Sequence, residues 1–429
     1  MIHRTAPQRP LLIGIALATL LAWAIALVAL ARGGRPDPPA LRAAATLLDS
    51  GWRFHTGDDP SWAAAGMASD DPGWQPIDLV APPGSHDGDV GLPDYAPGWM
   101  AHGHPGYTGY AWYRREVDVP AAPAEWEILG PTAVEDGYEL YWNGRLLGGS
   151  GRLGATPRLV GTRPLRFALP SEAAGTHGVL AVRVFMLRRP GGPGTEGGGL
   201  RTPPILAPRA IADGLHRAQW DRTIAGYIVD AIEPAAMLAL AGLALACARR
   251  SGRGGFLAFA GVALVLTAAR RVNNALVSWT DVMDLRTYSL LATYLWMPTL
   301  AAWALAWNRW GPRPWRWIDA AALGILFAQV AGALAHWPAV SSGSRDVSIG
   351  LFAVIAVRIA GHGTAPRALA LAALSLIVLA FFGAEVLDPL KVPGIWFPFG
   401  IGVSRTQYLY AALMPVLAWL VVRCTQPQA

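Results

Sequence analysis

Charge is what this chain has least of. Asp, Glu, Lys and Arg make up 15% of its 429 residues while 53% are hydrophobic, against about a quarter charged in ordinary soluble domains, which excludes a purely soluble protein. Cysteine is nearly missing: Cys247 and Cys424 are the only two, each near the end of an apolar run, so no disulfide framework is expected. The formal net charge of +6 would suit nucleic acid in a soluble chain. Acidic residues slightly outnumber basic ones between Arg32 and Arg222, however, and the basic surplus lies between and beside apolar segments. Charge placed there reads as membrane topology, and no nucleic-acid partner is expected. No nucleophile motif is present between Arg32 and Arg222 either. His102-Gly103-His104 could start a metal set, but no Cys or further clustered His completes it. No metal, no cofactor and no enzymatic activity are expected.

Long apolar runs are abundant. Residues 11–31, preceded by Arg4 and Arg9, are long enough to cross a hydrocarbon core about 30 Å thick. The spacing predicts a transmembrane anchor, or a long export signal ending at Ala29-Leu30-Ala31, over 1–32. Seven further runs follow at 224–248, 255–278, 288–307, 318–337, 347–359, 367–387 and 407–422. If each crosses once, Arg249, Arg250, Arg253, Arg309, Arg313, Arg316, Arg358, Arg367 and Arg423 all join Arg4 and Arg9 on one side. The opposite loops hold Arg286, Arg345, Lys391 and Arg405 among Asp281, Asp284, Asp346 and Asp388. Basic residues collect on the cytoplasmic side. The expectation is therefore a multi-pass inner-membrane protein, with a bundle over 224–423 and a cytoplasmic tail over 424–429 that leaves no room for an intracellular catalytic domain.

The water-exposed region, 33–189, lies on the other side, in the periplasm or outside the cell. Alternating patterns bounded by Gly and Pro predict strands at 112–119, 125–129, 138–142, 145–148, 165–169 and 179–187. Asn143-Gly144 between two of them fits the positive-φ positions of a type I′ hairpin. Residues 190–223 read as a Gly/Pro-rich linker followed by a juxtamembrane stalk, with Ile211, Leu215 and Ala218 at helical spacing.

Five motifs in order carry a resemblance: Gly51-Trp52-Arg53-Phe54 with Gly57-Asp58; Asp70-Asp71-Pro72-Gly73-Trp74; Trp112-Tyr113-Arg114-Arg115; Trp142-Asn143-Gly144 with Gly148; and Leu180-Ala181-Val182-Arg183-Val184. Together they resemble the galactose-binding-type jelly roll that also serves as the sugar-binding domain of family-2 glycoside hydrolases. An all-β jelly roll ahead of an all-α seven-helix transmembrane bundle is similar in layout to bacterial seven-transmembrane receptors with diverse intracellular signalling modules. The resemblance implies a sensor domain outside and a signal passed inward. This sequence departs from that pattern in having no cytoplasmic output module, and from the hydrolases in having no catalytic barrel.

Two groups of residues are candidates for function. Trp99, His102, His104, Tyr107, Tyr110 and Trp112 form an aromatic and histidine group whose rings could stack on a sugar while Asp87, Asp89 or Asp94 accept hydroxyl hydrogen bonds; alternatively they close the end of a sandwich core. Within the spans, Asp230, Glu233, Arg270, Arg271 and Glu385 reach related depths in the outer half, with Asn273 and Asn274 beside them. Charges there need partners, a water cavity or a functional reason. The functional expectation is a non-enzymatic receptor for a carbohydrate or small polar ligand, embedded in membrane lipid and signalling through a separate cytoplasmic or membrane protein. A transporter or channel subunit and an envelope-glycan assembly accessory protein are the alternatives.

Overall fold

The computed structural model describes residues 24, 38–66, 73–81, 96–121, 125–161, 163–187, 197–249, 251–311, 313–335, 337–361, 366–387 and 405–425. The expected N-terminal anchor (1–32) lies outside them apart from Ala24. The sandwich has two antiparallel sheets. One, in the order β1-β12-β5-β10, joins Thr46–Leu47, Ile205–Pro208, Trp126–Leu129 and Arg166–Ala168. The other, in the order β3-β2-β4-β11-β6-β7, joins Gln75–Ile77, Trp52–Thr56, Gly109–Asp118, His177–Met186, Gly137–Trp142 and Arg145–Gly149. A two-stranded hairpin, β8 (Gly151–Arg152) with β9 (Arg158–Leu159), hangs from the end of β7.

Alternation decides which residues are buried. Along β4 and β11, Ala111, Tyr113 and Val117 join Leu180, Val182 and Val184 in a core that also receives Ile128 and Leu206 from the other sheet, as the period-two geometry of strands requires. The β6–β7 turn has φ 47° at Asn143 and 85° at Gly144, and the Asn143 Oδ1 accepts the Val179 N–H at 2.7 Å, tying the turn to the next strand. Residues 197–208, expected as linker, belong to the sandwich. Trp99 N–H donates to Gly198 O at 3.1 Å, and β12 pairs with both β1 and β5. A Cβ on Gly198 would stand 2.2 Å from Trp99 Nε1, so the backbone can lie on that ring only because the residue is glycine.

Seven helices follow β12 among the described residues: α1 Arg209–Ala248, α2 Gly254–Trp279, α3 Leu285–Asn308, α4 Arg316–Leu334, α5 Pro338–Gly361, α6 Arg367–Leu387 and α7 Arg405–Thr425. Four segments are long and apolar enough to cross a membrane: Asp230–Ala248 within α1, and α2, α3 and α4. Arg367–Gly383 and Leu409–Cys424 are shorter apolar helices. Each helix packs on the next and α7 returns to α1, closing the bundle around Trp303, Trp307, Phe352, Phe382 and Tyr410. Helix α6 breaks at Phe382 (φ −124°, ψ 23°), and the neighbouring Phe381 carbonyl accepts Arg345 Nη2 at 3.0 Å. Two of the arginines expected to share one side are fixed at neighbouring helix ends. Arg309 pairs with Asp319 at 2.9 Å through both guanidinium nitrogens, and Arg358 Nη1 donates to Asn308 O at 2.9 Å.

Helix α1 has 40 residues and so runs about 60 Å. The residues expected as a juxtamembrane stalk running into the first span form its first part. Ala212 and Leu215 are fully buried against Leu129, Ile205 and Ala207 of the four-stranded sheet. Arg166 reaches Asp213, and Arg209 reaches Glu125, which fastens the same turns to β10 and β5 electrostatically.

Candidate functional site

Trp99 and Trp112 are both 0% exposed, so neither can stack on a sugar. This corrects the ring-stacking expectation for the two. Trp99 lies on the inner side, 5.8 Å from the Phe54 ring, and its Nε1 donates to Tyr107 O at 3.1 Å. Trp112 lies on the outer side of the six-stranded sheet under Trp62 and Tyr141, because the η-turn Pro60–Ala63 folds over that face. Tyr107 and Tyr110 are half-buried and turned to structural use: Tyr107 Oη donates to Tyr110 O at 2.5 Å and accepts from Gly57 N–H, while Tyr110 Oη donates to Gly154 O at 2.6 Å. His102 N–H donates to Trp99 O, and its Nε2 is buried with no hydrogen-bond partner among the described residues. Asp87, Asp89 and Asp94 lie outside the described residues. No group of three or more His, Cys, Asp or Glu side chains that could hold a metal stands among the described residues.

His104 lies against the Phe54 ring, 5.3 Å between ring centres. Its pKa is pushed down by burial, then by the nearby His102 and His55, and Gln75 Nε2 lies 2.9 Å from its Nε2, where an amide donor favours the unprotonated ring. A histidine whose folded pKa lies below its unfolded value withdraws stability as pH falls below the unfolded value and on through the folded one. The sandwich should therefore melt at lower temperature at pH 5 than at pH 7, and His104→Gln should flatten that slope; thermal melts across this range test both.

A polar cluster that the spacing of the sequence did not suggest sits on the same outer face. Arg183 of β11 donates from Nε and Nη2 to both carboxylate oxygens of Asp58, at 2.7 and 2.5 Å, and from Nη1 to Glu139 Oε2 at 3.2 Å. Its guanidinium lies 4.5 Å over the Tyr110 ring. Arg183 and Glu139 side chains are each 10% exposed and Asp58 29%, so Asp58 is the member nearest solvent. Burial alone would pull the Arg183 pKa down, but the two carboxylates outweigh it and hold it raised. The only signal in the sequence was period two: Glu139, Tyr141 and Arg183 alternate with core residues.

Inside the bundle, Arg271 Nη1 donates to Asp230 Oδ1 at 2.9 Å, and Arg271 Nε stands 3.9 Å from Glu233 Oε2. Their side chains are 3%, 0% and 5% exposed. The Arg271 guanidinium lies 4.9 Å from the centre of the Tyr410 ring of α7. Neither Glu233 oxygen accepts a hydrogen bond among the described residues. One residue on, Pro234 has no N–H to offer the Asp230 carbonyl four residues back. Arg270, Asn273 and Asn274 do not join this contact. Arg270 lies over the Phe381 ring at 5.3 Å, Asn273 Nδ2 donates to Tyr288 O, and Asn274 Oδ1 accepts the Tyr288 hydroxyl, both at 3.0 Å. The Glu385 side chain lies outside the described residues.

No family model and no curated protein matches this chain. Among solved structures it is similar to a Bacteroides uniformis β-glucuronidase 2 covalently bound to cyclophellitol-6-carboxylate aziridine, at 23% identity over 38% of this chain and 17% of that one, with a TM-score of 0.27. It is similar to a glycosyl hydrolase family 2 member from Bacteroides cellulosilyticus at 18% identity, over 38% and 20% of the two chains, TM-score 0.27. A Faecalibacterium prausnitzii β-glucuronidase shares 16% identity over 38% and 31%, TM-score 0.24. This chain thus spans less than a third of the length of each.

Proposed function

We propose that this protein is a non-enzymatic receptor of the bacterial inner membrane, a galactose-binding-like sandwich on the periplasmic side mounted on seven membrane helices. The sandwich takes a carbohydrate or small polar ligand, and the bundle passes the event to a separate signalling protein. The observation that supports this reading is α1: one unbroken helix buries Leu215 against the sandwich and, 15 residues later, buries Asp230 against Arg271. Those points are about 22 Å apart, so a tilt imposed at the sheet moves the ion pair. A ligand shifts the bundle only by binding one arrangement better than another, and this helix offers a lever by which arrangements differ. The test is thermal unfolding of the full chain in lipid nanodiscs against a panel of neutral, amino and acidic mono- and oligosaccharides. A binder at a hundred times its Kd stabilises the protein by about 2.7 kcal/mol, and amide exchange around 227–234 changes with it. A panel in which no compound moves the melt contradicts the proposal.

One observation favours a second reading, a transport subunit: Glu233 keeps two buried oxygens without hydrogen-bond partners among the described residues, in a segment long and apolar enough to cross a membrane. Substrate-driven flux in proteoliposomes, lost in Glu233→Gln, would establish it.

A further inference from the structure

The sandwich touches the bundle at a second place besides α1. Hairpin 151–161 reaches from the end of β7 to the turn between α2 and α3. There Arg158 Nη2 donates to Asp281 O at 3.1 Å, and Arg163 Nη2, two residues past the hairpin, stands 3.8 Å from Asp281 Oδ2. The approach is close, since a Cβ on Gly161 would meet Val277 O at 2.6 Å. The near end of the same hairpin is held by the outer-face cluster. Arg183 Nη1 donates to Leu153 O at 2.7 Å, Leu153 N–H donates to Glu139 Oε1 at 2.8 Å, and Tyr110 Oη donates to Gly154 O at 2.6 Å. Three residues that bind one another, and Asp58, thus also bind two consecutive backbone units of the hairpin.

We infer that hairpin 151–161 is a relay that carries the state of the Asp58–Arg183–Glu139 cluster to the outer turn of α2 and α3. The inference rests on the receptor reading for its purpose but not for its test. Its physical basis is the difference in exposure along the path. Asp58 is the partly exposed partner and lies on a surface loop, whereas Arg183, Leu153, Leu159 and Val160 are buried. A change in how Asp58 engages Arg183 therefore falls on a packed, hydrogen-bonded arm rather than dissipating in solvent. Beyond the turn, Asp284 caps α3 by accepting Thr287 N–H at 2.6 Å. Tyr288, one residue further, holds Asn273 and Asn274 of α2, only two and three residues past Arg271. The relay and α1 thus reach the buried ion pair from two sides.

Spatial continuity alone is not coupling, which has to be measured. The experiment is hydrogen exchange of the full chain in nanodiscs, with no ligand added. Tyr110→Phe removes one hydrogen bond to the hairpin, and Glu139→Gln weakens two contacts of the cluster. Each should speed exchange in peptides covering 151–161 by about fivefold, the effect of losing one net hydrogen bond, and should also speed exchange in peptides covering 277–288. With Arg158→Ala and Arg163→Ala added, the effect on 277–288 should vanish while that on 151–161 remains. The relay is overturned if neither variant loosens 151–161, if 277–288 stays unchanged while 151–161 loosens, or if the effect on 277–288 survives the Arg158 and Arg163 changes. Because no ligand enters, a failed ligand panel leaves this result standing, and a failed relay leaves ligand binding and transmission through α1 standing.

Discussion

Arg271→Met lowers the stability of the protein by about 3–5 kcal/mol, the usual loss when one partner of a buried ion pair is removed. The size follows from where the remaining groups stand. Asp230 and Glu233 are 0% and 4% exposed, and Arg271 stands against both. The substitution takes the guanidinium away from two buried carboxyls in a segment long and apolar enough to cross a membrane, where a charged group is costly. Methionine nearly matches the stem of arginine in volume, so a cavity is not the cause. Adding Asp230→Asn to Arg271→Met recovers part of the loss by removing one of the two buried acids. Denaturant titration in detergent micelles measures both variants, with Arg286→Met in the α3 entry as a control that changes little. A loss in Arg271→Met no greater than in the control would mean that the pair is water-exposed and the bundle differently packed.

Trp99→Ala and Trp112→Ala each cost about 3–5 kcal/mol, as large-to-small changes at fully buried aromatic positions do. Both rings have 0% exposure, and each is wedged among others: Trp99 against Phe54 and Tyr107, Trp112 against Trp62 and Tyr141. Leu146→Ala, at a side chain 51% exposed on β7, stays within about 0.5 kcal/mol. The readout is the thermal midpoint of the full chain. Tryptophan variants of unchanged stability that lost a sugar response would return these rings to a binding role.

The elements that could be read from the sequence are those whose signal is local. Six strands were expected and lie within a few residues of those observed, because Val, Tyr and Trp alternate with polar residues between Gly and Pro breaks. Asn143-Gly144 declared its turn by chemistry alone. Strand β12 did not, since it is four residues long behind a stretch dense in Gly and Pro, and its partners β1 and β5 are remote in sequence. The Arg183 cluster was hidden for the same reason, with Asp58 standing 125 residues away. In the bundle, counting residues placed Asp230, Glu233 and Arg271 at one depth, but depth does not give rotation. Adjacent residues on a helix point about 100° apart, so when Arg271 faces α1, Arg270 turns to Phe381 instead.

The account depends on α1 being one rigid rod from sheet to membrane, and the distance between two spin labels tests this most directly. Labels at Arg217→Cys and Ala231→Cys, both exposed and both ahead of Pro234, with Cys247 and Cys424 replaced by alanine, are 14 residues apart and should give a single narrow distribution at about 21 Å. A broad or two-peaked distribution would show a joint between the sandwich and the bundle and contradict the account.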